Sequence, residues 1–138
     1  NFLEAIKDRP SPSSDDVMTL MMLAMAASYD PDLKAPNNFR VPYNLETGDF
    51  ISVRWSKWLA HDPINLAAKH HSNLKKMKAI YIDCGYRDQF HIHFGARQLS
   101  KALTSKKVPH LYEEFNGTHS GIDHRLDVSL PYLSKHLL

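Results

Sequence analysis

The sequence is short of the residues on which several common sites are built. It carries a single cysteine, Cys84, in 138 residues. One thiol can form neither an intramolecular disulfide nor a thiolate-rich zinc site, and it suits a reducing compartment, so the chain is expected to be cytoplasmic. Glycine is scarce too. The five present are about half the usual ~7%. None stands in G-x-G-x-x-G, G-x-x-x-x-G-K-[ST] or G-x-S-x-G, so the glycine-dependent phosphate cradles and the sharp nucleophile turn are absent. Charge of one sign is also lacking: 17 Lys+Arg against 15 Asp+Glu leave a formal +2. Phosphate-backbone binding needs a one-sided basic excess, so nucleic acid is not an expected partner. No apolar run reaches the ~20 residues needed to span a bilayer, and no membrane partner is expected.

What is present begins with an apolar run, Met18 to Ser28. Asp15 and Asp16 precede it where a secretory signal would carry Lys or Arg, so it is read as a buried helix rather than a leader. Ser13 with Asp16 makes a capping-box start, and Val17, Leu20, Met21 and Ala24 recur at helical spacing, with the methionines filling the core. From Tyr29 to Ile51 prolines and Asn-rich turns break the pattern, although Phe39, Val41, Tyr43 and Leu45 alternate as a short extended stretch. A short helix with Trp55, Trp58 and Leu59 comes next. Asp62-Pro63 then supplies an N-cap and a first helical residue for a helix to about His70.

The second half is more regular. Lys78 to Cys84 reads as a buried strand, with its core near 79–84. Ile92, Ala96, Leu99 and Leu103 form the apolar face of an amphipathic helix with Arg97, Lys101 and Lys106 turned to water. Residues 110–115 read as a second strand. Ile122, Leu126, Leu130, Leu133 and Leu137 form one stripe of a last helix, interrupted or kinked at Pro131. Strand, helix, strand, helix is a right-handed βαβ pattern with parallel strands. The expected fold is therefore α/β: two parallel strands with flanking helices, residues 1–74 forming a variable or cap-like segment and 75–138 a βαβα unit. Two parallel strands do not make a stable sheet alone. With Asn at position 1 and a helix-like opening, the chain is expected to be the carboxyl-terminal part of a larger domain, its open strand edge covered by the rest of that domain or by another copy.

In parallel α/β sheets functional groups gather in the loops after the strands. Gly85-Tyr86-Arg87-Asp88-Gln89 places Asp88 just past the first strand. Asn116-Gly117-Thr118-His119-Ser120-Gly121 places His119 just past the second. A carboxylate and an imidazole at adjacent strand ends can meet as the acid–base half of a nucleophile-activating triad.

The stretches Ile80-Tyr81-Ile82-Asp83-Cys84-Gly85-Tyr86-Arg87-Asp88-Gln89-Phe90 and Tyr112-Glu113-Glu114-Phe115-Asn116-Gly117-Thr118-His119-Ser120, with the helix between them, resemble the carboxyl-terminal part of an esterase family of α/β-hydrolases. That family includes esterase D (S-formylglutathione hydrolase) and the enterochelin-esterase-like enzymes. The resemblance covers residues 78–138. Residues 15–74 resemble the variable segment before the acid strand. It implies a serine esterase or thioesterase with Asp88 as acid and His119 as base, the nucleophile lying upstream of this chain, and hence an inactive isolated chain. It further implies a small-molecule ester or thioester substrate and no cofactor. Trp55 and Trp58 become candidates for an acyl-pocket wall, and Arg87 and Gln89 for substrate contacts or loop orientation.

Competing readings of these residues are weaker. Asp83 lies inside the strand, where its side chain enters a sheet face. Ser120 follows the base and reads as an N-cap for the last helix, and Cys84 as a small buried hydrophobe. The nine histidines show no H-E-x-x-H; His70-His71 and His91/His93 diverge on helices, so no metal is expected. A non-catalytic α/β-hydrolase-like binding module using the same strand-end surface is the alternative function.

Overall fold

The computed structural model describes residues 2–137. The chain divides into two compact units, Asn1–His61 and Asp62–Leu138.

The first unit contains α1 (Phe2–Lys7), α2 (Ser14–Tyr29) and α3 (Ser52–Leu59). The expected capping box opens α2: the Asp16 N–H donates to Ser13 Oγ (3.2 Å) and the Ser13 N–H to Asp16 Oδ2 (2.9 Å). Arg9 Nη1 adds a bond to Asp16 Oδ1 at 2.7 Å. The buried stripe of α2 differs from the expected one. Asp16 and Ala26 are buried with Leu20 and Leu23 beside them, whereas Val17 and Met21 are about half exposed. Met18 and Met22 are exposed as well, so these methionines are not core fillers. A helix that is apolar nearly all round has no single preferred face, and here the inward-turned capping box sets its rotation. Between α2 and α3 the chain makes two antiparallel bridges, Pro31 with Phe39 and Tyr43 with Phe50. Val41 and Tyr43 are half-buried as the alternation predicts, but Leu45 stands in solvent. Asp30, fully buried, is the polar centre of the unit, bonded by Arg54 Nη1 at 2.5 Å and by Lys57 Nζ. Burial alone would raise its carboxyl; the two cations outweigh that and hold it below its ordinary value.

The second unit runs α4 (Pro63–Lys69), α5 (His71–Leu74), β1 (Tyr81–Gly85), α6 (Ile92–Ser105), β2 (Leu111–Phe115), a 3-10 turn (Asp123–Arg125) and α7 (Leu126–Leu137). The described residues thus form a mixed α/β structure of seven helices and one two-stranded parallel sheet. Asp62 caps α4 through the Ile64 N–H (3.0 Å), with Pro63 in the first helical turn. α4 packs on α6 and α5 on α4, so both helices belong with the strands rather than with the segment before residue 62. The core is Ala67, Leu103 and Val108, with Leu74, Ile80, Ile82 and Leu99 against it.

β1 and β2 pair in register from Tyr81 opposite Leu111 to Gly85 opposite Phe115. The strand starts at Tyr81, three residues later than Lys78, with the Ile80 carbonyl just before it accepting the Leu111 N–H at 2.9 Å. Alternation then divides the side chains. Ile82, Cys84, Tyr112 and Glu114 face α6, where Arg97 makes a two-point bond to Glu114 (2.6 and 2.7 Å). Tyr81, Asp83 and Glu113 face the other way, toward Arg125 and α7.

The expected leucine stripe of α7 is not its inward face. Ile122, Leu126, Leu130 and Leu137 are exposed, and Tyr132 packs on Tyr81 with ring centroids 5.5 Å apart. Pro131 lies inside α7 without ending it; a proline forfeits its own N–H bond, and neighbouring turns can carry the helix past it. Arg125 sets the register of this segment. Its Nε donates to Asp83 (2.8 Å) and its Nη2 to Glu113 (2.9 Å) and the Tyr81 hydroxyl (2.8 Å), while the guanidinium lies 4.6 Å from the Phe115 ring centroid. Asp83 and Glu113 are directly paired in the ladder. Two carboxylates so placed repel unless a cation bridges them.

The phenols of this sheet make an alkaline prediction. Burial, with a hydrogen bond to Glu113, pushes Tyr81 up to about 12; burial, with one to Glu114, does the same for Tyr112. An acid whose folded pKa lies above its unfolded value of 10 stabilises the fold fully below pH 10 and loses that contribution as pH rises toward 12. Tyrosinate absorbance is expected to lag for these two of the six tyrosines, and thermal stability to fall across pH 10–12. Six phenols ionising together near 10 would contradict this. At the acid end, Arg97 holds Glu114 at about 2 against an ordinary 4.5. That contribution is complete above 4.5 and is lost as pH falls toward 2.

Candidate active site

The hydrogen-bond ladder of the sheet continues past both strand ends. The Tyr86 N–H donates to the Phe115 carbonyl and the Arg87 N–H to the Gly117 carbonyl, each at 3.0 Å. The two strand-end loops are thereby drawn into contact. Gly85 permits the approach: a Cβ there would lie 2.4 Å from Gly117 O and 2.8 Å from Thr118 O, both backbone atoms.

Asp88 occupies the first loop and is buried, at 4% exposure. Its N–H donates to the Gly85 carbonyl (3.1 Å), and its Oδ1 accepts the N–H of Phe90 (2.8 Å) and, more weakly, that of Ile92 (3.5 Å). Asp88 Oδ2 meets His119 Nδ1 at 3.0 Å. Burial pushes the Asp88 carboxyl upward, but the bonds from His119, Phe90 and Ile92 outweigh it and hold the group below its usual range. Asp88 is therefore an anion at neutral pH. An anion can only accept, so it places the imidazole proton on Nδ1 and leaves the Nε2 lone pair free.

His119 is the open half of the pair. Its side chain is 45% exposed, against 3% for Asp88, and among the described residues Nε2 has no hydrogen-bond partner. A buried carboxylate fixing an imidazole whose far nitrogen is unpartnered among the described residues is an arrangement that can serve as a general base.

Two further residues hold His119. Gln89 Oε1 accepts its backbone N–H at 3.2 Å, and the Phe90 ring stands edge-on to the imidazole, centroids 4.8 Å apart and planes at 89°. Of the residues singled out from the sequence, Gln89 thus contacts the histidine loop directly, while Arg87 contributes its backbone N–H and leaves its side chain exposed. The role of Phe90 carries no clear mark in the sequence. The available signal was an aromatic two residues beyond the acid, which no spacing rule assigns to a histidine 29 positions later.

The other candidates make contacts of their own. Asp83 is engaged by Arg125 on the α7 face. Ser120 does not cap the last helix: the turn before α7 has Ile122 at that position with no side-chain cap. The Ser120 backbone instead pairs loosely with Thr118 (3.3 and 3.5 Å). Cys84 is buried, and burial pushes its thiol up, away from the thiolate form. Trp55 and Trp58 belong to the first unit, Asn1–His61. There Trp58 is buried edge-on to Tyr29 (5.4 Å) and Trp55 packs on Phe50 (5.0 Å). His91 lies just before α6 in the left-handed region (φ 58°), its ring 6.0 Å from that of buried His93. Among the described residues no three His, Cys, Asp or Glu converge as a metal site, and no helix is long and apolar enough to cross a membrane.

No protein-family model matches the chain, and no curated protein matches it.

Proposed function

We propose that this chain carries the acid and base of a serine hydrolase acting on esters or thioesters of small to medium acyl compounds, within an α/β-hydrolase fold. The observation that supports it is the buried Asp88 bonded to His119 Nδ1 at adjacent parallel strand ends, with Nε2 unpartnered among the described residues. A serine supplied by polypeptide beyond these residues attacks the carbonyl carbon. His119 Nε2 takes the hydroxyl proton as the C–O bond forms, then gives it to the departing alcohol or thiol. Water repeats the cycle on the acyl-enzyme, with Nε2 again accepting the proton. Asp88 holds the tautomer and stabilises the imidazolium. No cofactor enters these steps. The open edge of the two-stranded sheet is covered by the remainder of the domain or by a second copy, and a reducing compartment, the cytoplasm, suits the lone thiol.

The test is active-site labelling of the protein expressed from its complete reading frame. A fluorophosphonate is expected to label one serine, and His119→Ala to slow labelling at least ~10³-fold. Undiminished labelling or ester turnover in His119→Ala would overturn the assignment.

A further inference from the structure

The residues after β1 hold His119 at three separate points. Asp88 Oδ2 takes Nδ1 (3.0 Å), Gln89 Oε1 takes the backbone N–H (3.2 Å), and the Phe90 ring meets the imidazole edge-on (4.8 Å). One hydrogen bond to a ring nitrogen leaves the imidazole free to swing about its own Cα–Cβ and Cβ–Cγ bonds. A second bond, to the backbone of the same residue, fixes where those rotations start.

The rest of the histidine loop offers little else at this position. Gly117 is tied by the Arg87 N–H (3.0 Å) and Arg125 is anchored to the strands (2.8 and 2.9 Å). Between these anchors the described bonds, apart from the Asp88 and Gln89 contacts, are the long Thr118–Ser120 pair and, beyond Gly121, the backbone turns from the Arg125 N–H to Ile122 (2.8 Å) and from the Leu126 N–H to Asp123 and His124. The Asp88 carboxylate, by contrast, accepts the Phe90 N–H at 2.8 Å and, more weakly, the Ile92 N–H at 3.5 Å.

We infer that Gln89 is a positioning residue: its side-chain carbonyl fixes the His119 backbone against the Asp88 loop and so sets the placement of the imidazole. This rests on the hydrolase reading for its catalytic consequence but not for its geometric one. It assigns Gln89 to the base rather than to substrate.

The experiment compares Gln89→Ala with Gln89→Glu, which keeps an acceptor at the same reach, in the protein expressed in full. Amide hydrogen exchange at His119, read by NMR, is expected to quicken at least tenfold in Gln89→Ala and to return to within about threefold of wild type in Gln89→Glu. Fluorophosphonate labelling is expected to slow about 10–100-fold in Gln89→Ala, from loss of the aligned geometry, and to recover in Gln89→Glu. If the exchange responds but the wild-type protein takes no label, the positioning role stands and the hydrolase reading falls. Unchanged His119 exchange in Gln89→Ala overturns the positioning role, whatever the labelling shows.

Discussion

On the proposed hydrolase reading, replacing Asp88 with asparagine lowers kcat by about 10³–10⁴-fold while leaving the fold intact. The side chain keeps its shape, and an amide oxygen can still accept the Phe90 N–H that Asp88 Oδ1 accepts at 2.8 Å. The change falls on the group facing His119. An amide nitrogen there donates to Nδ1, which must then carry the lone pair, and the proton moves to Nε2. A base with its proton already on Nε2 cannot receive one from a serine. The loss of the anion also removes the charge that stabilises the imidazolium, now from a site only 4% exposed, where such a charge is poorly screened. Turnover of a p-nitrophenyl ester alongside thermal unfolding separates the two effects. A kcat within tenfold of wild type would mean that Asp88 does not serve the base.

Gly85→Ala is expected to be the most damaging substitution of a single hydrogen by a methyl group. The added carbon would sit 2.4 Å from Gly117 O, 2.5 Å from Gly117 C and 2.8 Å from Thr118 O. All three are backbone atoms in a loop tied to the first strand-end by the Arg87 N–H, so no side-chain rotation relieves the contact. The loops must separate. Overpacking of this kind costs about 1–3 kcal/mol, at the upper end when backbone has to move. Here the movement lies directly between Asp88 and His119, so labelling is expected to fall at least ~10²-fold beyond any loss of folded protein. Gly95 supplies the control: it lies within α6 and its added Cβ meets nothing within 4 Å. Gly95→Ala should stabilise by about 0.5–1 kcal/mol through helix propensity. A Gly85→Ala protein with wild-type unfolding temperature and labelling would show that the loops are not held together as described.

The scarcity of glycine in this sequence gains meaning from that contrast. Gly85 does not mark a phosphate cradle or a nucleophile turn; it marks the place where one loop must pass within van der Waals reach of another. Nothing in the local sequence distinguishes it from a strand-ending turn residue, because the atoms it must avoid are more than thirty positions away.

What could be read directly were features whose causes are local. The capping box of Ser13 and Asp16 and the Asp62-Pro63 helix start depend on neighbours within one turn, and each stands where the sequence puts it; α6 forms with Leu103 inward as expected, but Ile92 of its expected apolar face is exposed and His93 is buried instead. The parallel strands and the strand-end positions of Asp88 and His119 follow from the alternation of strand and helix patterns, and the structure pairs β1 with β2 in parallel. Facing was legible only where polar and apolar residues are segregated. Along α2 apolar residues nearly surround the helix, so periodicity predicted the wrong inward stripe and the capping box decided the rotation; along α7 the leucine stripe is mostly exposed, and Tyr132 meets Tyr81 of β1 instead.

By itself, then, the sequence determined the order of the main helices and strands, the starts of α2 and α4 and the strand-end loops that hold Asp88 and His119, since these rest on short-range sterics and hydrogen bonding. Only the tertiary structure decided that Asp88 and His119 meet at 3.0 Å, that Gln89 and Phe90 hold the same histidine, and that Arg125 bridges Asp83 and Glu113. Each of these contacts joins segments far apart along the chain, and the parallel ladder that aligns them is set by the packing of helices on the sheet, not by any residue's near neighbours.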